Sequence, residues 1–224
     1  MNTARLAARA IATTASMVIA ASTAPAAAAV QLVEPGDRIE TATNACTLGW
    51  VYIGADKHTY AVTAGHCATT PGETVTDKHS GAIGTFLQTR VDPPGIGGAD
   101  YALIDFGVRT LPVPFVANQP VTANNHTEPR PGQKVCRDGI STGTVCGEVT
   151  RSYGQHQYIT VGMTPTIGGD SGGPVWTTDT DGGDIRVIGI WLGGRTTIAG
   201  GNFGRFAGLS DALAVIGTPP ITAQ

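Results

Sequence analysis

The chain has 224 residues, with 17 acidic and 14 basic side chains and a formal charge of −3 when histidine is neutral. No Lys/Arg run concentrates positive charge, which argues against a nucleic-acid partner. Four cysteines are an even count, and no C-x-x-C pair or ligand-spaced histidine points to zinc, so no metal or cofactor is expected.

The first segment, "MNTARLAARAIATTASMVIAASTAPAAAAVQL", has the three parts of a secretory signal. Arg5 and Arg9 form the charged region, Ala10 to Ala21 the weakly apolar region, and "APAAAA" the small-residue cleavage site. The apolar run is too short and too rich in Ala and Thr for a membrane anchor. Cleavage near Ala29 removes two basic residues and no acidic ones, moving the formal charge to −5. In an exported chain Cys46, Cys67, Cys136 and Cys146 favour disulfides over thiols. Their order favours Cys46–Cys67 and Cys136–Cys146, the most local of the three connectivities open to four cysteines.

From Val30 onward the chain is a series of short β-type runs that end near Gly, Pro, Asn or Asp. In order they are "TLGWVYI", "TYAVTAG", "AIGTFLQTR", "DYALIDF", "QKVCR", "TVCGEVTRSY", "QYITVGM", "GPVWTT" and "IRVIGIWLGG". That spacing predicts an all-β sandwich or barrel. A Pro-rich stretch from Leu111 to Gly132 interrupts the strands and suggests a connection between two β units. Asn125 in "NHT" fits a glycosylation pattern. The glycine-rich "LGGRTTIAGGNFG" lacks phosphate-loop spacing and reads as a mobile loop. Only "LSDALAVIG" reads as a helix, with Ser210 as N-cap and Gly217 just past its end.

The chemistry concentrates in "IGGDSGGPVW", Ile167 to Trp176. Its "GDSGG" also matches the G-x-S-x-G elbow of α/β hydrolases, which needs a histidine after the serine. The last histidine is His156, before Ser171, so that reading fails. The order that survives is His, Asp, Ser. His66 closes the apolar run "YAVTAGHCA", and Asp100 opens another, "DYALIDF", in which Asp105 competes for the carboxylate role. A serine hydroxyl is a weak nucleophile until a base takes its proton. An imidazole, with an unperturbed pKa of roughly 6.5, can take that proton and return it to a leaving amine. A buried carboxylate fixes the imidazole tautomer. The small neighbours leave the N–H groups of Gly169 and Ser171 free to bind a developing oxyanion. The remaining histidines, His58, His79, His126 and His156, read as exposed loop or strand residues.

"TAGHC", "DYALI" and "GDSGGP", in that order, resemble the chymotrypsin-like serine proteases, most closely their secreted bacterial streptogrisin and α-lytic branch. The resemblance implies two antiparallel six-stranded β-barrels with the active site between them and a short C-terminal helix. It selects Asp100 over Asp105. It implies a signal peptide over residues 1–29, a first barrel over 30–115 carrying His66 and Asp100, a connection over 116–131, and a second barrel over 132–224 carrying Ser171. It also implies the Cys46–Cys67 and Cys136–Cys146 bridges. In these bacterial relatives an arginine after a cysteine neutralises the acid beside the nucleophile, which assigns Arg137 to Asp170. The specificity pocket is expected from Pro165, Thr166, Ile167, Gly168, Leu192, Gly193 and Gly194. Pro165 stands where trypsin-type enzymes carry Asp, which favours an apolar substrate side chain. Arg195 and Arg205 leave an acidic preference as the alternative.

The pattern departs from the family at three places: no large folding pro-region follows the signal, Ile167 replaces a cysteine, and Leu192 replaces a serine that supports the catalytic Asp. The expectation is a secreted, monomeric serine endopeptidase acting on peptide or protein through an acyl-enzyme. The alternative from a different class is a silent homologue that binds a protein or cell surface.

Overall fold

A computed structural model of the chain describes residues 29–123, 128–163, 165–177, 185–196 and 201–216. The segment 1–28 expected as the leader, the Asn125 acceptor, His126 and the Gly217 helix stop lie outside the described residues.

The first half contributes strands Gln31–Val33 (β1), Arg38–Glu40 (β2), Ala45–Thr47 (β3), Trp50–Ile53 (β4) and Thr59–Thr63 (β5). Thr74–Asp77 (β6), Ile83–Val91 (β7), Asp100–Asp105 (β8) and Thr110–Pro112 (β9) follow. The second half contributes Phe115–Val116 (β10), Gln119–Ala123 (β11), Lys134–Arg137 (β12), Val145–Tyr153 (β13) and Gln157–Val161 (β14). Pro174–Thr177 (β15), Ile185–Thr196 (β16), Asn202–Gly208 (β17) and the helix Leu209–Ile216 (α1) complete the order. Two kinds of strand are visible in the burial. β7 begins with strict alternation, Ile83 out and Phe86 in, as a half-covered strand requires. β5 and the middle of β8 are buried on both faces, so their runs are continuously apolar.

β12, β13, β14, β17, β16 and β15 pair in a ring that closes through β16–β17, giving one six-stranded barrel. The hairpin β10–β11 is added to it by parallel pairing of β11 with β16. The first half differs from the expected second six-stranded barrel. It is an open seven-stranded sheet in the order β3-β2-β6-β7-β8-β5-β4, and its edge strands β3 and β4 do not pair.

The reason lies in where the backbone groups at that seam are used. Leu48 N–H bonds Asp37 O at 2.9 Å and Gly49 N–H bonds Val62 O at 2.9 Å. Thr47 N–H leaves the sheet altogether and bonds Ser171 O at 2.8 Å. The seam that would close the barrel therefore seats a loop of the other half.

The Pro-rich stretch and the glycine-rich segment also differ from expectation. The first holds most of β9 and all of β10 and β11, and the second holds the end of β16 and the start of β17. Pairing with neighbours on both sides, β14 and β16, overrides the low strand propensity of "NFGRFAG". The helix begins at Leu209, so Ser210 lies inside it instead of capping it.

One apolar cluster runs from Phe86 and Leu103 through Val62 and Ile190 to Ala212 and Ile216, so α1 and both sheets share a core. A second cluster inside the ring holds Met163, Trp191 and Phe206. Disulfides join Cys46 to Cys67 and Cys136 to Cys146. The first closes a span of 21 residues, worth about 3 kcal/mol by chain-entropy arguments.

Asp37 and Asp77 meet at the buried end of β6. Asp77 Oδ1 accepts from His79 N, Ser80 N and Ser80 Oγ, whereas its Oδ2 is buried without a donor. A protonated Asp37 carboxyl would supply that donor, and His79 Nδ1 lies 3.7 Å from Asp37 Oδ1. Burial pushes the Asp37 carboxyl up to about 7; the Glu34 amide partly offsets this, and Asp77 adds to the rise. A raised carboxyl pKa gives stability that is complete below the unfolded value of roughly 3.9 and is lost as pH rises through about 7. Asp37→Asn keeps the bonds and removes the ionisation. Its melting temperature should exceed that of the parent at pH 8 and approach it at pH 5, as read by calorimetry. An equal difference at both pH values would refute the shared proton.

Candidate active site

His66 lies in a single 3-10 turn, Gly65–Cys67, which ends the apolar run of β5. The adjoining disulfide ties this turn to β3. Asp100 opens β8, and its carboxylate meets His66 twice. Oδ1 accepts from the His66 main-chain N–H at 3.0 Å, and Oδ2 lies 2.9 Å from Nδ1. This geometry fixes the ring: the carboxylate holds a proton on Nδ1 and leaves Nε2 directed away. Asp105 lies at the far end of β8 and bonds His58 Nδ1 at 2.9 Å. Five positions along a strand reverse the side-chain face, so the competing carboxylate serves a different histidine.

Ser171 sits on a loop pressed against the His66 turn. Its carbonyl takes the Thr47 N–H, and the same oxygen is 3.9 Å from Cys67 Sγ. Gly172 N–H bonds Trp191 O at 2.7 Å, and Trp191 N–H returns a bond to Gly173 O at 2.8 Å. Gly172 has φ +90, and a Cβ there would lie 2.0 Å from Thr63 Oγ1, so this approach requires glycine. Gly169 has φ +103. Among the described residues the N–H groups of Gly169 and Ser171 donate to no protein acceptor. The Ser171 hydroxyl and His66 Nε2 also make no hydrogen bond among the described residues.

Asp170 and Arg137 are fully buried, with Asp170 Oδ2 3.4 Å from Arg137 Nη1. The ion pair is one part of a larger cage. Asp170 Oδ1 accepts from Ser141 N at 3.0 Å and Thr142 N at 3.1 Å. Oδ2 accepts from Thr142 Oγ1 at 2.7 Å, Ile167 N at 3.1 Å and Thr166 Oγ1 at 3.3 Å. Burial pushes the Asp170 carboxyl up, but the Ile167, Thr142 and Ser141 donors and the Arg137 charge outweigh it and hold it below the usual range. Arg137 spends its own donors on Met163 O, Thr142 Oγ1 and Pro165 O, and its guanidinium stacks on Trp191 at 4.6 Å. Burial lowers its pKa, and Asp170 and Asp138 oppose the fall.

Sequence reasoning missed this cage. Ser141, Thr142, Thr166 and Trp191 are its members, together with Thr47, whose hydroxyl donates to Gly169 O at 2.8 Å. One signal was available: a buried carboxylate has about four acceptor sites, more than one arginine fork can fill, so further donors had to lie near.

The residues expected to form one specificity pocket do not line a single cavity. Leu192 and Gly194 border a cavity of about 380 Å³ that also touches His66 and Asp100, whereas Pro165, Thr166, Ile167 and Gly168 are absent from its wall. Ile167 is exposed, and the Thr166 hydroxyl links this segment to β16 by accepting from Trp191 Nε1 at 3.1 Å. Leu192 is buried at the position that offers no hydroxyl to Asp100. Beyond Trp191, whose main chain bonds Gly172 and Gly173, residues 192–196 of β16 pair only with β17 among the described residues, which leaves their other edge free for an added strand. His58 and His156 are half-buried and only His79 is exposed, so two of the three described histidines expected on the surface are not there. His58 is drawn in by Asp105 and His156 by Asp211, 3.9 Å away.

These features agree with what the chain is similar to. Residues 47–190 match a family described as a trypsin-like peptidase domain. The uncharacterized protein Rv1815 of Mycobacterium tuberculosis is 35% identical over 196 residues, covering 84% of this chain and 86% of that protein. Protease A of Thermobifida fusca superposes with a TM-score of 0.64 at 24% identity, covering 83% of this chain and 96% of that one. Cellulomonas bogoriensis chymotrypsin gives 0.61 at 24% identity, covering 86% and 100%. The closed barrel, the open sheet beside it and the residue 47–190 match together establish that this chain belongs to the trypsin-like peptidase family, with the fold of the chymotrypsin-like serine proteases.

Proposed function

We propose that the protein is a serine endopeptidase exported after cleavage near Ala29, of the secreted bacterial kind, and that Ser171, His66 and Asp100 do its chemistry. The observation that carries this reading is the double bond of Asp100 to His66, main chain and Nδ1, with the Ser171 loop fastened to the same turn. Two parts of the chain would share the site: residues 30–115 supplying His66 and Asp100, and 132–224 supplying Ser171. The substrate would be a peptide lying extended along the free edge of β16.

His66 Nε2 takes the Ser171 proton as Oγ forms a bond to the peptide carbonyl carbon. Asp100 stabilises the imidazolium that results. The N–H groups of Gly169 and Ser171, unspent among the described residues, bond the carbonyl oxygen as it gains negative charge. Collapse breaks the C–N bond, and the imidazolium gives its proton to the leaving amine. Water then attacks the acyl-serine as His66 takes its proton, the bond from the carbonyl carbon to Oγ breaks, and the imidazolium returns the proton to Ser171 as the acid leaves. The Asp170 cage holds the loop in shape without a newly cleaved N-terminus.

A second reading, a silent homologue that binds a partner, has one observation in its favour: Leu192 provides no hydroxyl beside Asp100. A fluorophosphonate probe separates the two. The disulfide-intact enzyme should be labelled at Ser171 at pH 8, and Ser171→Ala should abolish labelling. Folded wild-type protein that resists the probe would favour the binder.

A further inference from the structure

The cavity beside His66 carries charge that the chemistry above does not use. Its wall of about 380 Å³ brings His66, Pro93, Pro94 and Leu192 together with Arg195 and Arg205. Arg205 enters from β17 and donates from Nη1 to Gln157 Oε1 at 3.0 Å, while its Nε is buried with no acceptor. Gln157 is itself fixed, with its amide donating to Gly98 O at 2.7 Å. The Arg195 side chain, exposed at the end of β16, makes no hydrogen bond or ion pair among the described residues.

The acids facing this space are occupied. Asp92 takes the Ala99 N–H at 2.8 Å and lies 3.4 Å from Arg90 Nε, and Asp100 is held by His66. Two guanidinium groups therefore meet in one cavity without a dedicated anion. Burial, and then the charge of Arg195, draw the Arg205 guanidinium below its ordinary pKa, with Asp100 opposing. The Arg205 Nε is closed to solvent, so a carboxylate in the cavity would pair with the outer guanidinium nitrogens of Arg205 and Arg195, which line its wall.

We infer that this cavity receives an acidic side chain of the bound peptide, close to the scissile bond, with Arg205 and Arg195 as its counter-charges. The placement rests on the endopeptidase reading, because a peptide along the free edge of β16 passes between His66 and Arg195. The apolar preference expected from Pro165 concerns a different wall and is independent of this one. Gln157 acts through Arg205 and is a positioning residue.

The test uses Ser171→Ala protein, so it reads binding whether or not the parent turns over. Fluorescein-labelled hexapeptide pools, with Glu, Gln or Lys fixed at one position and the rest randomised, are titrated by fluorescence anisotropy. At one position the Glu pool should bind about tenfold tighter than the Gln pool, and the Lys pool should bind weakest. Added NaCl should shrink the Glu advantage. Arg195→Gln and Arg205→Gln should each reduce it to within about threefold, and Arg205→Lys should restore part of it. Arg195 is exposed, so its variant remains informative if Arg205→Gln does not fold. Equal binding of Glu and Gln pools at every position, or a Glu preference that survives both arginine replacements, would overturn the inference. Fluorophosphonate labelling of the parent reports separately on the catalytic reading.

Discussion

Asp100→Asn should lower kcat for peptide hydrolysis by about 10⁴-fold with little change in KM, whereas Asp105→Asn should leave kcat within about twofold. Both carboxylates bond a histidine Nδ1 at 2.9 Å, and they occupy opposite ends of one strand. What separates them is the nucleophile. The His66 turn lies against the Ser171 loop, with Cys67 Sγ 3.9 Å from Ser171 O, and no comparable contact joins His58 to that loop among the described residues. An amide at position 100 can donate to Nδ1 and force the ring proton onto Nε2, the nitrogen that must accept from serine. Steady-state kinetics of the two variants, with thermal melts to show that both fold, make the comparison. Equal losses would mean that Asp100 acts only through stability.

Asp170→Ala should cost about 3–5 kcal/mol of stability and abolish probe labelling, because it strands a buried guanidinium and five donors at once. Arg137→Met should cost less, since the carboxylate keeps its five hydrogen bonds and the Met side chain still packs on Trp191. The double variant should be more stable than the sum of the single losses predicts, because neither charge is left alone. Chemical denaturation measures all three. Strict additivity would show that the ion pair contributes nothing as a pair. The pH dependence has a definite sign. A carboxyl held below its ordinary pKa contributes stability present above the unfolded value of roughly 3.9, lost as pH falls through the lower folded value. Asp37 works the other way from about 7 downward. Stability should therefore rise from pH 8 toward mild acid and fall as Asp170 and the other carboxyls held low, Asp56 and Asp92 among them, protonate.

The strands easiest to read were those whose burial leaves a mark in one run of residues. "TYAVTAG" and "DYALIDF" became β5 and β8, which cross the shared core. "LGGRTTIAGGNFG" reads as a loop and the Pro-rich stretch as a connection because glycine and proline dominate local propensity there. Their strand character comes from partners far along the chain, β14 and β16 for the first and β1 and β16 for the second. The carboxylate partners of His58 and His156 were invisible because a lone histidine carries no periodic signal.

The His, Asp, Ser order, the local pairing of four cysteines and the β-rich class came from residue types and spacings. The choice of Asp100 over Asp105 and of Arg137 beside Asp170 came from the family resemblance. Chemistry restricts which side chains can serve, and their order excludes rival arrangements. Tertiary structure alone decided that β3 and β4 stay apart and the first sheet stays open. It also decided that donors from Ser141 to Thr166 cage Asp170, and that Arg195 and Arg205 share a cavity with His66. Each of these depends on where backbone N–H groups and charged ends meet after residues separated by tens of positions are folded together. Hydrogen bonding acts over about 3 Å in space, a distance that no local pattern in the sequence encodes.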